Sequence, residues 1–163
     1  MMGMQTLHGK PQTFMAHPMQ ERLRIFLRQL FTDPLNTDVE AAAVDFFAKH
    51  PVPMDDFPFI DKSYSRTILY RAQNGFEAMA ARWCKGAVTA IHGHPSFAFY
   101  YLLEGELLVD NFEKKDADIV KIDTRTYAPG EYFCIRGTTG TFDNGIHRVT
   151  VVEDSFSLHI YSD

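Results

Sequence analysis

The chain has 163 residues, is 45% hydrophobic and 13% aromatic, and carries a net charge of −5. That is enough apolar material for one folded core, and it excludes a disordered polar chain. There is no basic run for nucleic acid or an anionic membrane, no apolar stretch long enough to span a bilayer and no secretory h-region. Two cysteines, Cys84 and Cys134, make no disulfide framework, so the expectation is a soluble cytoplasmic protein with free thiols.

Residues 1–18 are rich in Met and Gln without a clear period, and are expected to form a flexible tail; His8 and His17 in it receive no catalytic role. The rest, 19–163, reads as a single domain, with helices within 20–50 and a barrel over 63–162. From Gln20 to Thr32, Leu23, Phe26, Leu27, Leu30 and Phe31 recur at helical spacing. Thr37 with Glu40 makes a capping box for a second helix, whose face is Val39, Ala42, Ala43, Phe46 and Phe47. That helix should end at His50, because Pro51 and Pro53 cannot continue it.

After Lys62 the period changes to two. Strands are expected at Tyr64–Arg71 and Phe76–Trp83 around an Asn74-Gly75 turn, then at Val88–Ile91, Phe97–Leu103 and Leu107–Phe112, with Gly105 closing one strand. Further strands follow at Ile119–Ile122, Tyr132–Ile135, Ile146–Val152 and Ser155–Tyr161, with turns at EKKDAD and Pro129-Gly130 and a Gly-rich segment from Gly137 to Gly145. Many short antiparallel strands at this spacing mean a barrel or a sandwich.

The chemistry centres on His92 and His94. In a strand, residues i and i+2 face the same side, so both imidazoles aim at one point. His147, in NGIHRVTVV, is the candidate third ligand. Three neutral imidazoles leave a divalent first-row ion its full charge and open positions that accept an anionic ligand such as a thiolate. An H-x-H strand with a distant third His in a small β-barrel is the layout of the cupin metal site; the Glu common after that motif is absent here. In SFSLHIYS, Ser157, His159 and Tyr161 share one face and Phe156, Leu158 and Ile160 the other. The first set reads either as a polar face in water or as a Ser–His–Tyr relay beside the metal. No G-x-S-x-G elbow supports a serine hydrolase.

These motifs together resemble the cysteine dioxygenase family, thiol dioxygenases of the cupin superfamily. The resemblance rests on Tyr64-Ser65-Arg66, on Trp83 nine residues before His92, on the H-x-H, on Gly145 to Val149 and on Ser157 to Tyr161. It implies a mainly β cupin fold, an RmlC-like jelly-roll barrel with two N-terminal helices. It also implies one Fe(II) per chain on His92, His94 and His147, a Ser157–His159–Tyr161 triad, and Arg66 beside Tyr64 binding the substrate carboxylate. The partners it implies are a small thiol, with cysteine favoured by Arg66, and O2, giving a sulfinic acid. Three departures stand out. Ala98 falls where mammalian members have a Cys that cross-links to the last-strand Tyr. The final motif ends as Tyr161-Ser162-Asp163 without the usual two prolines, and Thr150 and Val151 replace the Asn that commonly follows H-R-V. Two rival readings are another metal-dependent cupin enzyme acting on a different small acid, and a non-enzymatic metal- or ligand-binding cupin.

Overall fold

A computed structural model of the chain describes residues 18–32 and 38–162. The expected tail therefore lies outside the described residues except for Pro18, which opens the first helix, α1 (Pro18–Leu30). Leu23, Leu27 and Leu30 bury one face of α1. The second helix, α2 (Val39–Lys49), buries Val39, Ala43 and Phe47 and stops at His50 ahead of Pro51. Its N-cap is Asp38, whose carboxylate accepts from the Ala41 N–H at 3.0 Å. The cap is thus Asp38 with Ala41 three residues on, not the box of Thr37 with Glu40, and Thr37 itself lies outside the described residues. The helices meet through Phe26 stacked on Phe46 at 4.0 Å. Among the described residues, no helix is long and apolar enough to cross a membrane.

Seven strands follow: β1 (Tyr64–Arg71), β2 (Glu77–Trp83), β3 (His92–His94), β4 (Phe97–Lys115), β5 (Asp118–Tyr127), β6 (Tyr132–Arg136) and β7 (Asn144–Ser162). All pairings are antiparallel, in the order β1-β2-β7-β4-β5, with β3 on β7 and β6 on β4.

The strand list differs from the sequence reading at several points: the strand read as Ile119–Ile122 runs from Asp118 to Tyr127, the EKKDAD turn narrows to Asp116-Ala117, and two further differences reshape the sheet. Val88–Ile91 is not a strand; Val88 makes one isolated bridge to Thr150, and the strand is the H-G-H triplet itself. The segments read as four strands, Phe97–Leu103 with Leu107–Phe112 and Ile146–Val152 with Ser155–Tyr161, are two continuous ones, β4 and β7. They pair from Phe97↔Ser162 to Asn111↔His147, with register shifts between Leu102 and Leu107. Gly105 therefore sits in a bulge, not in a turn. Its φ is +84°, and a side chain there would overlap the Asp154 carbonyl and Ser155. The bulge bends both long strands together without ending either.

The two faces of this bent pair have different fates. Phe99, Tyr101, Phe156, Leu158 and Ile160 point outward to α1 and α2 and join their core. Full burial of each large apolar side chain stabilises the fold by about 1.5–3 kcal/mol. The other face lines a cavity inside the barrel, with Leu102, Leu107, Val109 and Val149 among its apolar walls.

Gly105→Ala tests the bend. Positive φ and backbone overlap act together, so the variant should lose roughly 2 kcal/mol or more in urea denaturation. Wild-type stability would show that the bend does not need glycine.

Candidate metal centre and active site

Register decides which side chains meet in the cavity. Across β1, β2, β7 and β4, Arg66 pairs with Ala81, Ala81 with Ser157, and Ser157 with Leu102. One step along, Met79 is opposite His159 and His159 opposite Tyr100; two steps along, Glu77 is opposite Tyr161 and Tyr161 opposite Ala98. Directly opposed residues share a face. Tyr64, Arg66, Trp83, Tyr100, Ser157, His159 and Tyr161 accordingly line one cavity with His92 and His147.

The three candidate ligands converge. His92 is paired with His147 in the β3–β7 register, and His94 with Asn144. One ring nitrogen from each of the three lies within 4.8 Å of the others, and no carboxylate among the described residues joins them. His94 and His147 are buried, whereas His92 is exposed at the edge. Carbonyl partners fix the tautomers. His92 Nδ1 donates to the Ala90 carbonyl at 2.9 Å, and His94 Nδ1 lies 3.1 Å from the Gly145 carbonyl and 3.2 Å from that of Asn144. A carbonyl only accepts, so Nδ1 carries the proton in both rings and Nε2 keeps its lone pair. His94 Nε2 is buried with no partner in the protein. Burial, and next the neighbouring His92, push the His94 pKa down to about 4; burial, then His94 and His92, push His147 to about 2. Both rings are neutral at neutral pH, the form that ligates a metal. Converging bare nitrogens, one of them an orphan, fit a divalent cation, and the three form a three-histidine metal-binding site.

Glycine and asparagine build this corner. A side chain at Gly93 would run into the Phe142 carbonyl, so only H-G-H lets β3 lie against the loop before β7. The Asn144 side chain accepts from the Thr138 N–H at 2.9 Å and donates to the His94 carbonyl at 3.2 Å, tying that loop to the ligand strand.

The last strand carries a continuous hydrogen-bond chain. Ser157 Oγ lies 2.7 Å from His159 Nε2, and His159 Nδ1 lies 2.9 Å from the Tyr161 hydroxyl. Trp83 Nε1 donates to Ser157 Oγ at 2.8 Å. Indole N–H is a donor only, so Ser157 Oγ accepts there, and among the hydrogen bonds of the described residues His159 Nε2 is the acceptor left for the buried Ser157 proton. Ser157 accepts from Trp83 and gives its own proton to His159 Nε2; His159 Nδ1–H then donates to the Tyr161 oxygen. The Tyr161 O–H is left to donate into the cavity. Burial, with the nearby His94 and Arg66 charges, lowers the His159 pKa to about 3, and burial raises that of Tyr161 to about 12. At neutral pH the imidazole is uncharged and the phenol keeps its proton. The polar-face-in-water alternative does not hold, because Ser157 and His159 are buried.

Arg66 stands exposed at the rim, 5.5 Å from the Tyr64 ring centroid. Among the described residues it has no carboxylate partner, in contrast to Arg71, Arg82, Arg125, Arg136 and Arg148. Ala98, fully buried, is directly opposite Tyr161.

The sequence reading missed three contributors: Trp83 as the start of the hydrogen-bond chain, Asn144 as the loop tie, and Tyr100 in the cavity wall. The alternation of FAFYYLL carried a signal for Tyr100, since it places Ala98, Tyr100 and Leu102 together, facing Tyr161, His159 and Ser157.

Comparisons with known proteins agree with this geometry. The family model for cysteine dioxygenase type I matches residues 4–163. The chain is 28% identical to the cysteine dioxygenase type 1 of Rattus norvegicus over 159 residues, covering 94% of this chain and 76% of that protein. It is 26% identical to that of Homo sapiens over the same shares. A solved cupin superfamily protein from Desulfitobacterium hafniense superposes with a TM-score of 0.51 at 13% identity, over 69% of this chain and 87% of that one, a likeness of fold alone. The chain is a mainly β cupin with two N-terminal helices, and it belongs to the cysteine dioxygenase type I family.

Proposed function

We propose that the protein is a cytoplasmic, iron-dependent thiol dioxygenase that oxidises cysteine, or a similar small thiol, to its sulfinic acid with O2. The observation that carries this reading is an arginine without a carboxylate partner, on the same cavity as a three-histidine site and a directed Ser–His–Tyr chain.

His92, His94 and His147 would hold one Fe(II) ion, which would supply the open coordination positions that bring a thiolate and O2 together for transfer of both oxygen atoms to sulfur. Arg66 pairs its planar guanidinium with the substrate carboxylate, a fork that a lysine could not offer. Tyr64, packed beside it, limits where that fork points. Between Arg66 and Ser157 the barrel wall carries only Ala81, so the substrate backbone has room to lie across β2. Tyr161 donates its O–H toward the reacting atoms, aimed by His159, which Ser157 and Trp83 orient in turn. Neutral His159 holds its Nδ1–H on the Tyr161 oxygen and does not compete as a cation for the substrate's negative charge. The apolar wall of Leu102, Leu107, Val109 and Val149 keeps bulk water from the sulfur.

Replacing any one of His92, His94 and His147 with Ala should sharply reduce iron bound per chain. Elemental analysis matching wild type in all three variants would remove the metal assignment.

In an oxygen electrode, the Fe(II)-loaded protein should consume O2 with cysteine. Arg66→Ala should raise KM for cysteine roughly ten- to a hundred-fold, the loss of a charge-assisted pair of about 1.5–3 kcal/mol, while cysteamine, which lacks the carboxylate, is little affected. Equal effects on both thiols would take the carboxylate role from Arg66.

With Ala98 opposite it, Tyr161 has no thiol with which to form a thioether. The intact mass should stay unchanged through turnover, and Tyr161→Phe should slow the reaction about ten-fold or more at normal iron content. A loss of two hydrogens mapped to Tyr161, or a variant as fast as wild type, contradicts a free working phenol.

A further inference from the structure

One polar atom of the cavity has no part in the chemistry described so far. Tyr100, on β4 opposite His159, is 8% exposed, and its hydroxyl is buried with no hydrogen-bond partner. Its ring cannot swing that hydroxyl out to solvent. It is stacked on Phe133 with centroids 4.3 Å apart, and set edge-on to His159 at 4.5 Å, His94 at 5.3 Å, Tyr161 at 5.7 Å and His147 at 5.8 Å. A phenol keeps its proton at neutral pH, so the group is a donor. The Tyr161 hydroxyl is near enough to act on Tyr100 as a loose side-chain partner, but the contact does not meet full hydrogen-bond geometry and leaves the Tyr100 hydroxyl without a true partner.

A buried hydroxyl is seldom left unpaired, so the partner of this one belongs to what occupies the cavity. The kind of partner follows from the donors present. The chain from Trp83 through Ser157 and His159 leaves Tyr161 with its O–H to give. Tyr100 likewise has an O–H and no acceptor. Two phenolic donors on paired strands thus stand beside the three histidines. A thiolate presents one acceptor atom. The reaction RS⁻ + O2 → RSO2⁻ oxidises sulfur by four electrons, reduces O2 by four, and needs no other reductant. It creates two sulfur-bound oxygens that share the negative charge. Two donors complement that end of the reaction better than its beginning.

We propose that Tyr100 is the second phenolic donor of the site: together with Tyr161 it binds the two oxygens of the sulfinate formed over the three-histidine cluster. This role presupposes the thiol dioxygenase reading and adds to it a residue outside the metal ligands and outside the Ser157–His159–Tyr161 chain.

Trp83, the only tryptophan in the sequence, lines the same cavity, so its fluorescence reports occupancy. The Fe(II)-loaded protein under nitrogen is titrated with cysteine sulfinate and, separately, with cysteine, in the wild type and in Tyr100→Phe and Tyr100→Met. The expected result is saturable binding of the sulfinate by the wild type and about ten-fold weaker binding by both variants. Cysteine affinity should stay within about two-fold, with unchanged iron content and melting temperature, and in the oxygen assay kcat should fall while KM holds. The proposal is overturned by an unchanged sulfinate Kd in either variant, by equal weakening for cysteine and sulfinate, which is the mark of a packing residue, or by a wild type that gives no saturable response to sulfinate. Failure of the thiol reading shows separately, as a wild type that takes up no oxygen with any thiol. The sulfinate titration then still decides Tyr100, because an unchanged Kd removes the two-donor site whatever the substrate.

Discussion

The pairing of β4 with β7 holds a polar row inside an apolar barrel. Both strands run 19 residues, and their register sets Asn111 opposite His147, Leu102 opposite Ser157, Tyr100 opposite His159 and Ala98 opposite Tyr161. Because side chains alternate, this register also sends Phe99, Tyr101, Phe156, Leu158 and Ile160 to the helices. A slip by one residue would exchange the two sets, exposing the phenylalanines to the cavity and the histidine to the helix core. Apolar packing on α1 and α2 therefore fixes the orientation of the chemistry on the opposite face. The bulge at Gly105 lets one pair of strands serve both the barrel wall and the bend beyond it.

Burying so many polar groups is costly unless each has a partner. The protein meets this with partners that fix direction. Carbonyls at Ala90 and Gly145 take the Nδ1 protons of His92 and His94, so their Nε2 atoms are bare. The indole N–H of Trp83 gives to Ser157, and the buried Ser157 proton has His159 Nε2 as its acceptor, so the chain runs one way and ends on the Tyr161 oxygen. The orphans that remain in the cavity are the His94 Nε2 lone pair and the Tyr100 O–H, an acceptor and a donor that no protein group satisfies. A cation would answer the first and, in the role proposed for Tyr100, an anion's oxygen the second.

Much of this was legible in the sequence, for identifiable reasons. H-x-H and S-x-H-x-Y each place side chains on one face by the period of two alone, and that property survives any error in strand ends. Helix faces were legible from Leu23, Leu27 and Leu30 and from Val39, Ala43 and Phe47 in the same way. Strand boundaries were not. A glycine with positive φ serves a turn or a bulge equally well, and only the partner strand, Asp154–Ser155 against Gly105, distinguishes them. Val88–Ile91 has strand composition, but its backbone pairs β7 at a single bridge before H-G-H takes over. In FAFYYLL the alternation groups Ala98, Tyr100 and Leu102, but every residue of that run is apolar or aromatic, so the sequence does not say which of the two groups faces the histidines. Trp83 reads as core from composition, and its N–H acquires a role only through a Ser 74 residues away.

Electrostatics then decides what kind of ligand this cavity takes. The metal ligands are three imidazoles, and His94 and His147 are held neutral by burial. No carboxylate among the described residues joins them, so a divalent ion there keeps its full charge. Arg66 adds a cation at the rim, and Tyr161 and Tyr100 add O–H donors inside. The two carboxylates in reach, Glu131 on the cavity wall and Glu77 opposite Tyr161, are each paired with an arginine, Arg125 and Arg71; the other groups near the histidines are neutral, cationic or hydrogen-bond donating, and the low dielectric of the apolar wall strengthens each against an incoming charge. A neutral or cationic ligand would leave the arginine and the metal charge uncompensated. On the proposed function, a small dianion with a carboxylate at Arg66 and a thiolate over the histidines would compensate both at once, and its oxidation to a sulfinate would keep the same total charge while spreading it onto two oxygens, toward the phenols.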